Sequence, residues 1–419
     1  MFQDIKPTKR SSSKILSHQS LGMLGYQAIN NTNRQPDHGQ SDIKQDIEKP
    51  PIVTNGGEKG YFKRLKHWWH HLGRNQRFAI ISFALLIFVA GAIGYYYFSR
   101  PSSEATLVIA KAKAKKTPTT VASPLTGLQV DPVLTKRPVT GIMIENSPDA
   151  RPQSGIQEAG VVFEAIAEGG ITRFMTLYQD AGPQYIGPVR SLRPYFLDFA
   201  APFQASIVHV GGSPDALSEV RNGQYRDLDQ FFNGSYFTRI NARAAPHNVY
   251  TNFASLDKLN QSKGYNSSSY TSWPRKKDKK IATPTAKTID FQISGPLYYA
   301  HYDYDAKTNT YMRSEGGEVH KATVSADDTQ GVQLHPNVVI ALVMSYSIAS
   351  DGQHSVYGDT GSGGAYIFQD GDIIKGTWNK DNQITNFSFT DSSGAPIKLN
   401  AGQTWITIVR GDNEVSYAP

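Results

Sequence analysis

An uncharged run from Phe78 to Phe98, FAIISFALLIFVAGAIGYYYF, constrains the fold of this chain more than any other feature. At about 1.5 Å per residue in a helix, the run is long enough to cross a hydrocarbon core of about 30 Å. Three tyrosines near its end suit the membrane interface. A cleaved signal peptide is disfavoured, because the run is long and begins far into the chain. We therefore predict one transmembrane helix at residues 78–98.

The residues on either side of this run predict its orientation. Residues 61–77, directly before it, are rich in Lys and Arg and contain two tryptophans, and positively charged residues stay on the cytoplasmic side. We therefore predict a single-pass protein of the cell membrane, with a cytoplasmic N-terminus and a large extracytoplasmic portion. Residues 1–60 are polar and predict a disordered cytoplasmic tail. Residues 99–124 predict an extracytoplasmic stalk, and the lipid bilayer is an expected partner.

Composition and motifs exclude several classes of function. The 419-residue chain has no cysteine, which removes disulfides, thiol nucleophiles and thiolate metal sites. Its net charge of +7 is small for this length, and its aromatic residues do not alternate with Lys and Arg, so we expect no nucleic-acid partner. The histidines after the uncharged run have no HxxxH or HExxH spacing, and there is no P-loop or GxGxxG motif. We therefore expect no metal and no cofactor.

The first part of the external portion, residues 125–265, is predicted to be a mixed α/β ectodomain. Short β-type runs alternate closely with helical ones, which favours a mixed sheet with helices. Two of these runs, Val161–Glu168 and Ile171–Gln179, flank Gly169-Gly170, a strong signal for a two-residue hairpin. Ser213 precedes a proline and an aspartate and is predicted to be a helix N-cap rather than a nucleophile.

The later part of the chain is predicted to be almost entirely β. Residues 266–288 are polar and lysine-rich and predict a linker or an exposed loop. Residues 289–419 alternate around Asp-Gly and Ser-Gly turns, which predicts a small antiparallel β domain, or a subdomain that completes the first one. The predicted fold class is therefore α+β, preceded by one transmembrane helix.

The stretch GPVRSLRPYF, residues 187–196, places Arg190 and Arg193 among apolar and small residues. If the proline after Arg193 begins a helix, both guanidinium groups stand at its N-terminus, where the dipole disfavours cations by up to about 1 kcal/mol each. An anion at the same place would offset this cost, and arginine forks suit phosphates and carboxylates. That anion is either a bound ligand or an internal glutamate such as Glu164 or Glu168.

Other polar residues lie in turns and at strand ends, the usual places for binding side chains on a sheet scaffold. The segments ENSPDARPQSG, EAIAEGGITR and FTRINARAAPHN carry most of them. We predict one ligand-binding cluster that consists of Glu145, Arg151, Glu168, Arg173, Arg190, Arg193, Arg239, His247 and Asn248. No catalytic residue is assigned: His209 or His247 could act as a general base, and a hydrogen-bonded structural role is the alternative.

Several segments together resemble the YerB-like family of bacterial envelope proteins, among them PLTGLQVDP, ENSPDARPQSG, VFEAIAEGGITRF, IGPVRSLRPYF, HVGGSP, APHNVYT and GSGGAYIF. The resemblance runs from about residue 123 to the C-terminus and implies a larger N-terminal and a smaller C-terminal domain. It implies no catalytic residues. Many members are lipoproteins, whereas this chain lacks cysteine and has the apolar run instead. The strand, double-arginine turn and helix are also similar to the LytR–CpsA–Psr phosphotransferases, whose arginines hold a polyprenyl pyrophosphate.

These observations lead to two hypotheses from different classes. The first is a membrane-anchored extracytoplasmic protein that binds an anionic envelope ligand through the arginine cluster, as a binding or regulatory module. The alternative is an enzyme that acts on glycan or on a polyprenyl-phosphate-linked envelope polymer. Peptidoglycan, lipid-linked precursors and envelope enzymes are the partners that these hypotheses imply. A base within hydrogen-bond reach of the arginines would favour the enzyme.

Overall fold

The computed structural model describes residues 61–99 and 119–419. Contacts divide the chain into two compact units, residues 1–110 and residues 111–419. The predicted cytoplasmic tail lies outside the described residues, as does the predicted stalk up to residue 118.

The first unit contains two helices in its described part, α1 (Tyr61–His71) and α2 (Arg74–Phe98). Helix α2 includes the whole uncharged run and starts slightly before it, at Arg74. None of its residues is buried. By length and composition α2 can cross a membrane.

The second unit combines three α-helices with many short strands in its described part. The helices are α3 (Pro194–Ala200), α4 (Pro214–Glu219) and α5 (Phe253–Ser262). The strands up to residue 276 are β1 (Val121–Ala122), β2 (Gln129–Val130), β3 (Thr140–Glu145), β4 (Gln153–Ser154), β5 (Val161–Glu168), β6 (Ile171–Tyr178), β7 (Ser206–His209), β8 (Arg226–Asp229), β9 (Thr238–Arg239), β10 (Val249–Tyr250) and β11 (Arg275–Lys276). The later strands are β12 (Thr288–Phe291), β13 (Ala300–Asp305), β14 (Thr310–Glu315), β15 (Glu318–Val319), β16 (Lys321–Thr323), β17 (Val332–Gln333), β18 (Val338–Val343), β19 (Tyr346–Ile348), β20 (Ser355–Tyr357), β21 (Gly361–Gln369), β22 (Asp372–Lys380), β23 (Ser388–Asp391), β24 (Leu399–Asn400), β25 (Thr404–Val409) and β26 (Val415–Ala418).

A ten-stranded mixed sheet forms the centre of the second unit, in the order β23-β22-β21-β18-β25-β5-β6-β3-β7-β8. Strands from the later part of the chain join those from the earlier part where β25 runs parallel to β5. The α+β class and the β-rich C-terminal part are confirmed. The C-terminal strands are not all antiparallel, however, because β18 and β25 are parallel neighbours. Five of these late strands therefore extend the sheet of the earlier part.

Side-chain alternation along the central strands separates the core into two layers. Phe163 and its odd-numbered neighbours pack with helix α3, whereas Val162 packs with helix α5 and with the five-stranded sheet β15-β14-β13-β12-β26. Glu145 and Arg173 are cross-strand partners at the end of β3 and lie on the face of the sheet that packs with α3. Glu164 lies one residue after Phe163 and therefore faces the opposite layer. The sheet thus places Glu164 on the opposite face from Glu145 and Arg173.

Two local predictions are confirmed. Strands β5 and β6 form an antiparallel hairpin, and the two glycines between them have φ of +58° and +77°, the left-handed values that a type I′ turn needs. Ser213 is the N-cap of α4, and its hydroxyl accepts a hydrogen bond from the backbone N–H of Ala216.

The polar segment 266–288 is anchored to the core at several points. Trp273 is buried and donates its indole N–H to the carbonyl of Phe387 at 2.6 Å. Strand β11 pairs with β24, and Ala286 is fully buried. Its lysines 277, 279 and 280 are exposed, as expected for a solvated loop.

Candidate functional site

The structure distributes the predicted cluster over several places. Glu145, Ser147, Arg190 and His247 form one set, called here the Arg190 group. Glu168, Arg173 and Arg193 form a second set, the Glu168 group. Arg151 belongs to a buried network on the other face of the central sheet, and Arg239 and Asn248 lie on a surface hairpin.

In the Glu168 group, one carboxylate joins two arginines. Arg173 Nη2 lies 2.6 Å from Glu168 Oε1, and Arg193 Nη2 lies 2.7 Å from Oε2. Both arginines are almost completely buried, and each also donates to a backbone carbonyl. Burial alone would raise the pKa of Glu168, but the two guanidinium groups hold it below its usual value. Glu168 is therefore the internal anion that meets Arg193 at the start of the short helix α3.

In the Arg190 group, Glu145 at the end of β3 is the central residue. Arg190 Nε lies 3.1 Å from Glu145 Oε1, and His247 Nδ1 lies 3.0 Å from Oε2. The hydroxyl of Ser147 donates to Glu145 Oε1 at 3.1 Å and lies 3.4 Å from His247 Nδ1. The backbone N–H of Arg190 donates to the carbonyl of Met143, which holds this stretch against β3.

Arg190 differs from the other arginines of the two groups in how much of its guanidinium is used. Its side chain is 25% exposed, and its contact with Glu145 is made through Nε. Among the described residues, neither the buried Nε nor the two terminal nitrogens make a hydrogen bond, so the contact with Glu145 is an ion pair only. A planar fork with free terminal N–H groups can bind a carboxylate or a phosphate oxygen. The Arg190 group therefore places a guanidinium group, a hydroxyl and an imidazole close to one another.

A buried network lies on the opposite face of the central sheet, with Arg313 at its centre. This fully buried guanidinium contacts both oxygens of Glu164 at 3.0 Å and Glu315 Oε1 at 3.3 Å. Its Nε donates to Nδ1 of His320 at 2.9 Å. Burial alone would lower the pKa of Arg313, but the Glu164 carboxylate reverses the shift and raises it. Glu164, the other internal anion that the sequence offered, therefore has a partner outside the predicted cluster.

Arg151 lies between this network and the solvent and contacts Glu315. Its Nη2 lies 3.3 Å from Glu315 Oε2, and its Nε donates to the side-chain oxygen of Asn146 at 3.2 Å. Burial raises the pKa of Glu315 to about 7, although Arg313 and Arg151 oppose that shift. A cavity of about 470 Å³ opens onto Arg151, Glu315 and His320.

The remaining predicted residues lie apart from both groups. Arg239 and Asn248 are on the hairpin of β9 and β10, where Arg239 Nη1 donates to Asn248 Oδ1 at 2.9 Å. His209 is fully buried, with Nδ1 2.7 Å from the carbonyl of Gly211 and Nε2 3.0 Å from Asp227 Oδ1. Of the two candidate bases, only His247 therefore lies beside an arginine of the predicted cluster.

Sequence reasoning did not select Ser147, Arg313, Glu315 or His320. Ser147 belongs to the ENSPDARPQSG segment and could have been chosen, because it stands between Glu145 and Arg151. Arg313 and Glu315 lie on β14, and the sequence of this strand, TYMRSE, does not indicate that its arginine faces the core. Their role depends on a contact with β5 that is distant in sequence.

The fold and these groups define a mixed α/β portion that follows a helix able to cross a membrane. The profile of the N-terminal domain described as "Protein of unknown function (DUF3048)" matches residues 125–266, and that of the C-terminal domain of the same family matches residues 289–406. The chain belongs to this family of YerB-like proteins.

Two comparisons with individual proteins agree with this assignment. The chain is 32% identical over 293 residues to the "Putative lipoprotein YerB" of Bacillus subtilis, and the match covers 68% of this chain and 86% of that protein. The crystal structure of the YerB protein from Bacillus subtilis superposes with a TM-score of 0.63 at 28% identity. That superposition covers 71% of this chain and all of the other.

Proposed function

We propose that the chain is a single-pass, membrane-anchored envelope protein whose extracytoplasmic portion binds an anionic envelope ligand at the Arg190 group. The uncharged helix α2, the basic residues before it and the similarity to a protein named as a lipoprotein support the anchoring. Under this proposal the N-terminus is cytoplasmic, and residues 125–266 and 289–406 act as two domains of one external binding or regulatory module.

The uncommitted terminal nitrogens of Arg190 are the observation that carries the binding proposal. The charges of the two groups differ: Arg173, Arg193 and Glu168 together carry a net charge of +1, whereas Arg190 and Glu145 balance each other. A phosphate or carboxylate group of the ligand would accept hydrogen bonds from the terminal nitrogens of Arg190.

Replacing Arg190 and Arg193 separately tests this proposal. Arg190→Ala should change the free energy of unfolding by about 1 kcal/mol or less, because a partly exposed, single contact is lost. It should also abolish the rise in melting temperature that inorganic phosphate or a purified muropeptide gives the wild-type chain in detergent micelles. Arg193→Ala should instead cost about 2 kcal/mol, because it removes a buried partner of Glu168.

Arg410→Ala is the matched control, since Arg410 pairs with Glu414 near the surface and lies outside both groups. It should keep both the stability and the response to phosphate. If the Arg190→Ala variant still responds to both probes, the fork is not the binding site. If it unfolds as readily as Arg193→Ala, Arg190 is part of an internal ion-pair network.

The enzymatic alternative has one observation in its favour, the position of Ser147 and His247 beside Arg190. The hydroxyl of Ser147 is within hydrogen-bond reach of both Glu145 and His247, and His247 Nε2 lies 4.0 Å from Asp149 Oδ2. A hydroxyl next to a base and an anion-binding guanidinium is a suitable arrangement for attack on a phosphoryl or acyl group.

Turnover of a polyprenyl-pyrophosphate-linked glycan by the full chain tests this second function. If it holds, Ser147→Ala and His247→Ala should each reduce turnover by about 100-fold or more while phosphate still stabilises the protein. Wild-type turnover no higher than that of the two variants would exclude catalysis by this group and leave binding as the function.

A further inference from the structure

A turn in the second unit exposes two adjacent phenylalanines. Phe231 is 67% exposed and Phe232 is 71% exposed, directly after strand β8. The turn has a defined shape, because the N–H of Phe232 donates to the carbonyl of Asp229 at 3.1 Å and the amide of Asn233 donates to the same carbonyl at 2.8 Å. Burial of one such ring contributes about 1.5–3 kcal/mol. A turn of fixed shape thus keeps two neighbouring rings exposed to water. We therefore expect them to bind another surface.

The chain that follows this turn is basic. From Gln230 to Leu256 the sequence contains no Asp or Glu, but it contains Arg239 and Arg243. The guanidinium of Arg221 lies 5.1 Å from the centre of the Phe232 ring and is paired with Asp229.

Two acidic side chains contact the later part of this segment at His247: the buried Glu145, with Oε2 3.0 Å from Nδ1, and the exposed Asp149, with Oδ2 4.0 Å from Nε2. Exposed aromatic rings flanked by arginines are typical of segments that lie at the interface of a bilayer with anionic lipids. The charge of the segment therefore complements an anionic membrane surface.

We propose, on the basis of the membrane anchor proposed above, that the turn at Phe231 and Phe232 docks on the lipid bilayer. The two rings enter the headgroup region, and Arg239 faces anionic headgroups. Residues 100–118 connect this unit to the helix that can span the membrane, and such a connection reaches at most about 70 Å. The connection keeps the local concentration of the bilayer surface high, so that even a weak contact is populated.

A single fluorescent label tests this docking, because the chain has no native cysteine. Ser235→Cys places an environment-sensitive dye on an exposed residue beside the turn and keeps both phenylalanines. In the full chain, reconstituted into phosphatidylcholine vesicles that contain phosphatidylglycerol, spin-labelled lipid should quench this dye and iodide should not. The matched control is a dye on Ser392→Cys, in the exposed turn after β23, which iodide should quench and lipid should not.

Removing the rings should reverse the result. In the Ser235→Cys background, Phe231→Ser with Phe232→Ser should lower lipid quenching by about tenfold or more. Phe232→Ser alone should act in the same direction if the double variant folds poorly. Omitting phosphatidylglycerol should also weaken quenching, since Arg239 then lacks anionic partners.

Three outcomes would overturn the proposal. The first is iodide access to the label at residue 235 without lipid quenching. The second is equal lipid quenching at residues 235 and 392. The third is protection from both quenchers only after a protein extract is added, which would assign the turn to a protein partner. Phosphate binding by Arg190 is measured in micelles, so a failure of docking and a failure of ligand binding are distinguishable.

Discussion

Replacing Arg313 by methionine is expected to lower the free energy of unfolding by about 3–5 kcal/mol. Arg313 is fully buried and neutralises Glu164, and it also donates to the hydroxyl of Tyr302. Methionine fills much of the same volume but leaves Glu164 and Glu315 as buried carboxylates without their central cation. Urea unfolding of the full chain in detergent micelles, followed by near-ultraviolet circular dichroism, measures the change.

A double-mutant cycle separates the ion pair from the loss of side-chain packing. Combining Arg313→Met with Glu164→Gln removes both charges, so the combined loss should be clearly smaller than the sum of the two single losses. Arg410→Met is the matched surface control and should cost about 1 kcal/mol or less. Equal losses at Arg313 and Arg410 would mean that the buried network contributes no more than a surface pair.

The second large effect is expected at Asp198, where asparagine should stabilise the protein at alkaline pH. Asp198 on α3 and Asp359, which follows β20, are both buried, and each carboxyl group affects the pKa of the other. Burial and the Asp359 carboxylate raise the pKa of Asp198 from 3.8 to about 8, although Lys380 opposes the shift. Folding therefore holds a proton on Asp198 that the unfolded chain releases.

The direction of the pH dependence follows from this shift. Between about pH 4 and pH 8 the folded chain binds more protons at Asp198 than the unfolded chain, so this residue lowers the free energy of unfolding as pH rises. Asp198→Asn keeps a donor toward Asp359 without the titrating proton.

The variant should equal the wild type near pH 4 and exceed it by on the order of 3 kcal/mol at pH 8. Unfolding midpoints at several pH values measure this difference. A difference between the two proteins that does not change with pH would contradict the assignment of the proton to Asp198. Asp359→Asn should act in the same direction, because burial raises the pKa of Asp359 as well.

Local signals predicted most of the elements around the site. The Gly-Gly pair between two β-type runs predicted the hairpin of β5 and β6, and Ser213 predicted the start of α4. Pro194 predicted the start of α3. The hairpin and the two helix starts each depend on the backbone preferences of a few neighbouring residues, which can be read from the sequence.

The grouping of the charged residues could not be predicted in the same way. Arg190 and Arg193 are close in sequence, yet Arg190 contacts Glu145 and Arg193 contacts Glu168. Arg151 follows Glu145 closely in sequence but joins the network of Arg313 on the opposite face. Arg151, Arg190 and Arg193 lie in segments between regular elements, where the path of the chain depends on its packing against the rest of the fold. Closeness in sequence therefore does not give closeness in space.

The sequence by itself determined that the chain has a helix able to cross a membrane, a mixed α/β portion after it and a region rich in arginine and glutamate around the ENSPDARPQSG and GPVRSLRPYF segments. Those features depend on hydrophobic length, on periodicity and on turn residues. Only the tertiary structure decided which carboxylate each guanidinium meets. Glu164 and Arg313 are 149 residues apart in sequence and meet because two sheets pack face to face. The tertiary structure likewise brings Arg190 and His247 to the same carboxylate, Glu145, although the three residues are far apart in sequence.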